Sequence, residues 1–178
     1  MVSKKCSFST SRLLVKEWHS LTSKDVEDQD LASVIANMLT APVTRSLPPG
    51  WQGPYTMERA GEWIKERDRE GTALLVVELV ERKAVGLVIL FESAGVNAGG
   101  AELRLGYLLA ESAWGKGLAT ELLLGFVEWC KQNNVASVVG GVERKNIASR
   151  RVLEKGGFLR GASAGDDGKE ELLYRLNL

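Results

Sequence analysis

Apolar positions along this chain recur with two periods. Leu31, Val34, Ile35, Met38 and Leu39 follow helical spacing, as do Ala60, Trp63 and Ile64 further on. Thr22 and Ser23 are candidate caps for the first helix. The second is predicted to start near Thr56 and to stop at Gly71. Runs rich in Leu and Val predict strands over Ser11–Trp18, Thr72–Val80 and Ala84–Glu92, with Glu81-Arg82-Lys83 closing a hairpin between the last two. Glu102–Leu109 and Val135–Val142 read as strands on either side of a helical run from Leu118 to Lys131. Asn146 is placed to cap a short helix that ends at Gly156-Gly157, and Phe158 begins another strand. Leu172, Tyr174, Leu176 and Leu178 alternate in a final strand. Between these elements, Pro42, Pro48, Pro49 and Pro54 predict a loop, and Ala94–Gly100 and Asp166-Asp167-Gly168 predict turns.

Hairpins dominate the middle of the chain, and strand–helix–strand alternation appears only late. That order predicts an α+β fold: a mixed, mostly antiparallel central sheet of about seven strands, with helices on both faces. One parallel pairing is expected across the helix after Gly117. The length of 178 residues fits a single domain over 1–178, with residues 1–10 expected as a flexible tail. The 23 basic and 23 acidic residues cancel, which argues against a nucleic-acid partner bound through a large basic face. Met1 to Arg12 carry no apolar signal core, and no apolar run approaches the roughly 20 residues that span a bilayer. No membrane partner is expected. Cys6 and Cys130 are the only cysteines and match no zinc spacing, so the cytoplasm is the default location. A lone histidine, His19, argues against a metal site or a Ser-His-Asp triad, and no metal is expected.

Candidate chemistry concentrates in Trp114-Gly115-Lys116-Gly117-Leu118-Ala119-Thr120, a glycine turn between a strand and a helix. The first N–H groups of a helix lack intrahelical partners and, with the helix dipole, attract anions. A phosphate-bearing cofactor is one reading; a tight connection with no ligand is the other. A Walker A loop fails at both ends, because Ala110 stands at the first glycine and Gly117 follows Lys116. A dinucleotide fingerprint fails at Thr120.

Leu105 to Phe158 resembles the GNAT superfamily of N-acetyltransferases. Two blocks carry the resemblance: Leu105-Gly106-Tyr107 followed by Trp114 to Glu121, and Asn146 to Phe158. The branch it resembles most is the ribosomal-protein N-terminal acetyltransferase type. The resemblance implies acetyl-CoA as co-substrate, with 105–158 as the cofactor-binding core. Trp114, Gly115, Lys116, Gly117, Leu118, Ala119 and Thr120 would form the diphosphate loop, with Trp114 standing where Gln or Arg is usual. A backbone N–H at Leu108 or Leu109 would serve the thioester carbonyl, and Gly106 would mark a bulge that splays its strand. Asn146 would bond the pantetheine chain, and Ser149 would lie near the sulfur as a proton donor. Leu153 occupies the place where many family members carry a tyrosine acid.

The general base is less defined. Arg104 stands where a glutamate is frequent, which leaves Glu102 as the first candidate, with Glu92 and Glu143 behind it. Arg150, Arg151 and Lys155 could meet the ribose phosphate or face solvent. The implied acceptor is an amine, either a protein N-terminus or a small molecule, lying against the first helices and the proline loop. Trp51, Tyr55 and Trp63 would line that pocket or pack the helix. The rival from another class is a CoA-binding sensor or interaction module without turnover. Dimers are common among proteins of this kind, so a homodimer fits the resemblance while the sequence leaves the oligomeric state open.

Overall fold

A computed structural model describes residues 1–93, 100–161 and 171–178. The turns expected at Ala94–Gly100 and at Asp166-Asp167-Gly168 fall largely or wholly outside those residues. The strands are β1 (Ser7–Ser9), β2 (Leu13–Glu17), β3 (Thr72–Glu78), β4 (Lys83–Ser93), β5 (Ala101–Leu109), β6 (Val135–Glu143), β7 (Leu159–Arg160) and β8 (Glu171–Asn177). The α-helices are α1 (Leu31–Met38), α2 (Ala41–Thr44), α3 (Met57–Glu70), α4 (Leu118–Gln132) and α5 (Ile147–Lys155). The eight strands form one sheet in the order β1-β2-β3-β4-β5-β6-β8-β7. Every neighbouring pair is antiparallel except β5 and β6, which the α4 crossover joins in parallel.

Alternation along the strands divides the core in two. Leu74, Val76, Val88, Leu90, Leu103 and Leu105 turn to one face and pack with Leu122, Phe126 and Leu153 of α4 and α5. Leu75, Val77, Leu87 and Ile89 turn to the other and pack with Ile35 and Met38 of α1 and Trp63 of α3. Helices therefore lie on both faces, and the central strands β3 and β4 are buried on both sides.

Several local expectations need correction. Residues 1–10, expected as a tail, hold a 3-10 turn at Ser3–Lys5 and the edge strand β1, with Cys6 buried. A three-residue strand is too short to show alternation, which is why the sheet has eight strands rather than seven. The cap of α1 is Asp30, whose carboxylate accepts from the Ala32 and Ser33 amides. Thr22 instead donates its N–H and hydroxyl to Asp25, both at 2.9 Å. The proline segment holds regular pieces as well: Pro42 lies in the first turn of α2 and Pro49 opens a 3-10 turn. Proline suits those positions, since its missing N–H would have no helical partner there.

Candidate functional site

The parallel pairing of β5 with β6 ends at Leu105–Gly140. Beyond that point β5 stays bonded to β4 as far as Leu109–Gly86, and β6 stays bonded to β8 as far as Glu143–Glu171. The sheet therefore splits between β5 and β6, and Gly106 is the first residue past the split. No register shift accompanies Gly106 on the β4 side; the one irregularity in the β5–β6 pairing lies at Ala101/Glu102. The splay thus arises without the expected bulge.

The ladder decides which amides face the gap. The Ala110 N–H donates to Val85 across β4 at 2.8 Å. In an antiparallel pair, alternate residues turn their N–H and C=O toward the partner strand. Leu108 is therefore in phase with Ala110 and directs its amide into β4, whereas Tyr107 and Leu109 direct theirs toward the gap. Of the two amides expected at the thioester carbonyl, geometry leaves Leu109. The Leu109 carbonyl points the same way and accepts from the Trp114 indole at 2.9 Å. Trp114 is thereby tied to the end of β5 while the residue stays 46% exposed.

At the end of β5 a 3-10 turn, Glu111–Ala113, leads into the glycine turn. Gly115 and Gly117 have φ of 72° and 76°, left-handed values that a side chain would strain. Gly117 occupies the N-cap of α4, and no side chain caps the helix. Glu121 is the first residue to donate back into the helix, to the Gly117 carbonyl at 3.1 Å. The amides of Leu118, Ala119 and Thr120 thus lack intrahelical acceptors. A Cβ on Gly115 would meet nothing within 4 Å, so the turn is open to a ligand. These features fit a diphosphate held by main-chain N–H groups. Lys116 is exposed, and its carbonyl accepts from Arg12 at 3.0 Å.

Helix α5 flanks the gap. The Asn146 side chain caps it, accepting from the Ser149 N–H at 3.1 Å, which leaves the amide nitrogen of Asn146 for a ligand. The Ser149 hydroxyl lies 2.8 Å from the Tyr107 hydroxyl, bridging helix and strand. Burial holds the Tyr107 phenol above its ordinary range, offset in part by the Ser149 bond, so it stays protonated at neutral pH. In the sequence Tyr107 stands only as part of the block Leu105-Gly106-Tyr107, with no role of its own. The signal for a larger role, a tyrosine directly after the glycine at the split, gains meaning only once α5 is seen opposite. Leu153, in the place of the family's tyrosine, is 2% exposed, and its methyls lie close over Gly140.

Glu102 does not reach this site. Six residues separate it from Leu108 along β5, about 20 Å at strand rise. Its carboxylate accepts from Arg175 and from the Ser137 hydroxyl, the latter at 3.0 Å, and those two bonds hold its carboxyl below the ordinary range. Arg104 pairs with Glu171 at 3.5 Å on the same face. Glu92 is bonded to the Ser3 amide and hydroxyl, also away from the gap. Of the candidate carboxylates, Glu143 alone lies on β6 beyond the point where the strands part, three residues past Gly140. Arg150 is engaged by the Tyr174 hydroxyl at 3.3 Å and the Arg144 carbonyl at 3.2 Å.

The aromatic residues near the proline loop pack on one another. Trp63 lies edge-on to Trp51 and Tyr55, at centroid distances of 5.6 and 6.2 Å, and the Arg67 guanidinium stacks over Trp51 at 4.1 Å. His19 bonds Asp68 at the surface at 2.9 Å, away from the gap. Among the described residues no group of acids, histidines and cysteines could hold a metal ion, and no helix is long and apolar enough to cross a membrane.

A split sheet with an amide-rich turn at the mouth of α4 defines an acyl-CoA-dependent transferase fold. The comparisons agree. Residues 21–159 match the family model described as an acetyltransferase (GNAT) domain, and the chain belongs to that family. It is an acetyl-CoA-dependent N-acetyltransferase. Solved structures share the fold at low identity. A GNAT-family acetyltransferase from Bacillus anthracis is 18% identical with a TM-score of 0.71, covering 97% of this chain and 98% of its own. A putative ribosomal-protein-serine acetyltransferase from Vibrio cholerae is 15% identical with a TM-score of 0.70, covering 99% of each chain. AAC(6')-Ib, solved with ribostamycin and coenzyme A, is 18% identical with a TM-score of 0.69 over 93% of each chain. Among curated proteins, none matches the sequence significantly.

Proposed function

We propose that the chain transfers acetyl from acetyl-CoA to a primary amine, of a protein N-terminus or a small molecule, by direct attack in a ternary complex in the cytoplasm. The observation that carries this reading is the Tyr107–Ser149 hydroxyl pair, which joins β5 to α5, beside the uncapped start of α4. Acetyl-CoA supplies an activated carbonyl with a thiolate leaving group. The amides from Gly115 to Thr120 hold its diphosphate, and Asn146 bonds the chain that leads to the sulfur. The Leu109 N–H faces the gap and donates to the carbonyl oxygen as negative charge develops there. Ser149, its hydroxyl held by Tyr107, gives a proton to the departing sulfur, and Tyr107 can replace that proton.

The attacking nitrogen must shed a proton, since a free alkylammonium titrates near ~10. Glu143 takes it, directly or through water, from the open face of the sheet. The face between α1, α3 and the split receives the acceptor. The test is a screen of N-terminal peptides and small amines with acetyl-CoA, reading thiol release. Acetylation of at least one amine supports the reading. Tight CoA binding with no turnover on any amine would favour a sensor or interaction module instead.

A further inference from the structure

The β1–β2 hairpin reaches the glycine turn. Its approach to α4 depends on Gly125, where a Cβ would come within 2.6 Å of Thr10 and 2.9 Å of Phe8. At this contact the Glu121 carboxylate gathers four donors. One oxygen accepts from the Thr10 hydroxyl at 2.5 Å, the Ser11 hydroxyl at 3.0 Å and the Arg12 N–H at 2.8 Å. The other accepts from Arg12 Nε at 2.6 Å. Arg12 then passes the connection on: Nη1 donates to the Lys116 carbonyl at 3.0 Å, and Nη2 lies 3.8 Å from where a Cβ of Gly117 would be.

This arrangement fixes one peptide plane. In a trans peptide the C=O and the following N–H point in opposite directions. Holding the Lys116 carbonyl against Arg12 therefore turns the Gly117 N–H away from Arg12, to the open side of the turn. It also offsets an acid that would otherwise stand unpaired in the first turn of a helix whose start receives an anion. We propose that Arg12, anchored by Glu121, is a positioning residue for the diphosphate of CoA, acting from behind the cradle through the Lys116–Gly117 peptide. The inference rests on the assignment of that turn to CoA.

The test is calorimetric titration of the full chain with CoA, with pantetheine, which lacks the diphosphate, followed by NMR. Arg12→Gln should weaken CoA about ten- to a hundredfold, the scale of one charged hydrogen bond, and leave pantetheine unchanged. Arg12→Lys, which keeps the charge but not the fork, should recover part of the loss. Glu121→Gln should weaken CoA in the same sense by releasing Arg12, and it serves where the Arg12 variants do not fold. Unchanged CoA affinity in a folded Arg12→Gln variant, equal losses for CoA and pantetheine, or tighter CoA binding by Glu121→Gln would each overturn the proposal. No CoA binding by the wild-type chain would instead overturn the cradle, a result distinct from these.

Discussion

At the scale of single residues, the site depends on hydroxyl and amide directions more than on charge. Tyr107→Phe removes one oxygen from a half-buried pair and leaves the ring in place. If the phenol orients Ser149, kcat should fall about tenfold or more while the KM for acetyl-CoA stays near wild type. Ser149→Ala should act in the same direction, and the double variant should lose no more than the worse single one. Steady-state kinetics checks both; additive losses would show that the two hydroxyls act separately. Gly117→Val places a side chain at φ 76° against Arg12, costing about 1–2 kcal/mol in backbone strain and pushing on the guanidinium that holds the Lys116–Gly117 peptide. CoA binding should disappear in a variant that still folds, as read by calorimetry and circular dichroism. The uncapped glycine turn and the Asn146 cap of α5 were legible because each is written in contiguous residues. The surroundings of Glu102 were not legible for the opposite reason: its partners, Ser137 and Arg175, come from two other strands.

At the scale of elements, caps and hairpins decide where helices begin. Asn146→Ala deletes the cap of α5 and should cost about 1 kcal/mol of stability, seen as a lowered Tm. The contact between hairpin and α4 has a pH signature. Partial burial pushes the Glu121 carboxyl up, but hydrogen bonds from Thr10, from the Arg12 side chain and amide, and from Ser11 outweigh it and bring it down to about 2. A carboxyl depressed on folding stabilises the fold above its unfolded value, ordinarily 4.5, and loses that contribution as pH falls to about 2. Thermal melts between those limits should therefore fall less steeply with acid in Glu121→Gln than in wild type. Equal slopes would show that the carboxylate gains nothing from its four donors. Periodicity located α1, α3 and α4 well; it missed β1, which is held by pairing and by Phe8 packing on Phe126 at 6.4 Å.

At the scale of the whole molecule, one sheet carries two cores, and we propose that they unfold together as a single domain. Phe126 is 1% exposed beneath β1, stacked with Trp129 at 6.2 Å. Phe126→Ala should cost about 3–5 kcal/mol and lower one shared transition, followed by near- and far-ultraviolet circular dichroism. Two separate transitions would overturn the single-domain reading. By itself, the order of residues determined the element types, the antiparallel middle, the parallel crossover and the glycine turn, because spacing and turn chemistry are local properties of a chain. Only the tertiary structure decided that β5 and β6 part at Leu105, that the Leu109 amide rather than that of Leu108 faces the gap, that Tyr107 meets Ser149, and that Arg12 stands behind the turn. Those facts depend on strand register and on segments far apart in sequence coming within bonding distance, which no local pattern encodes.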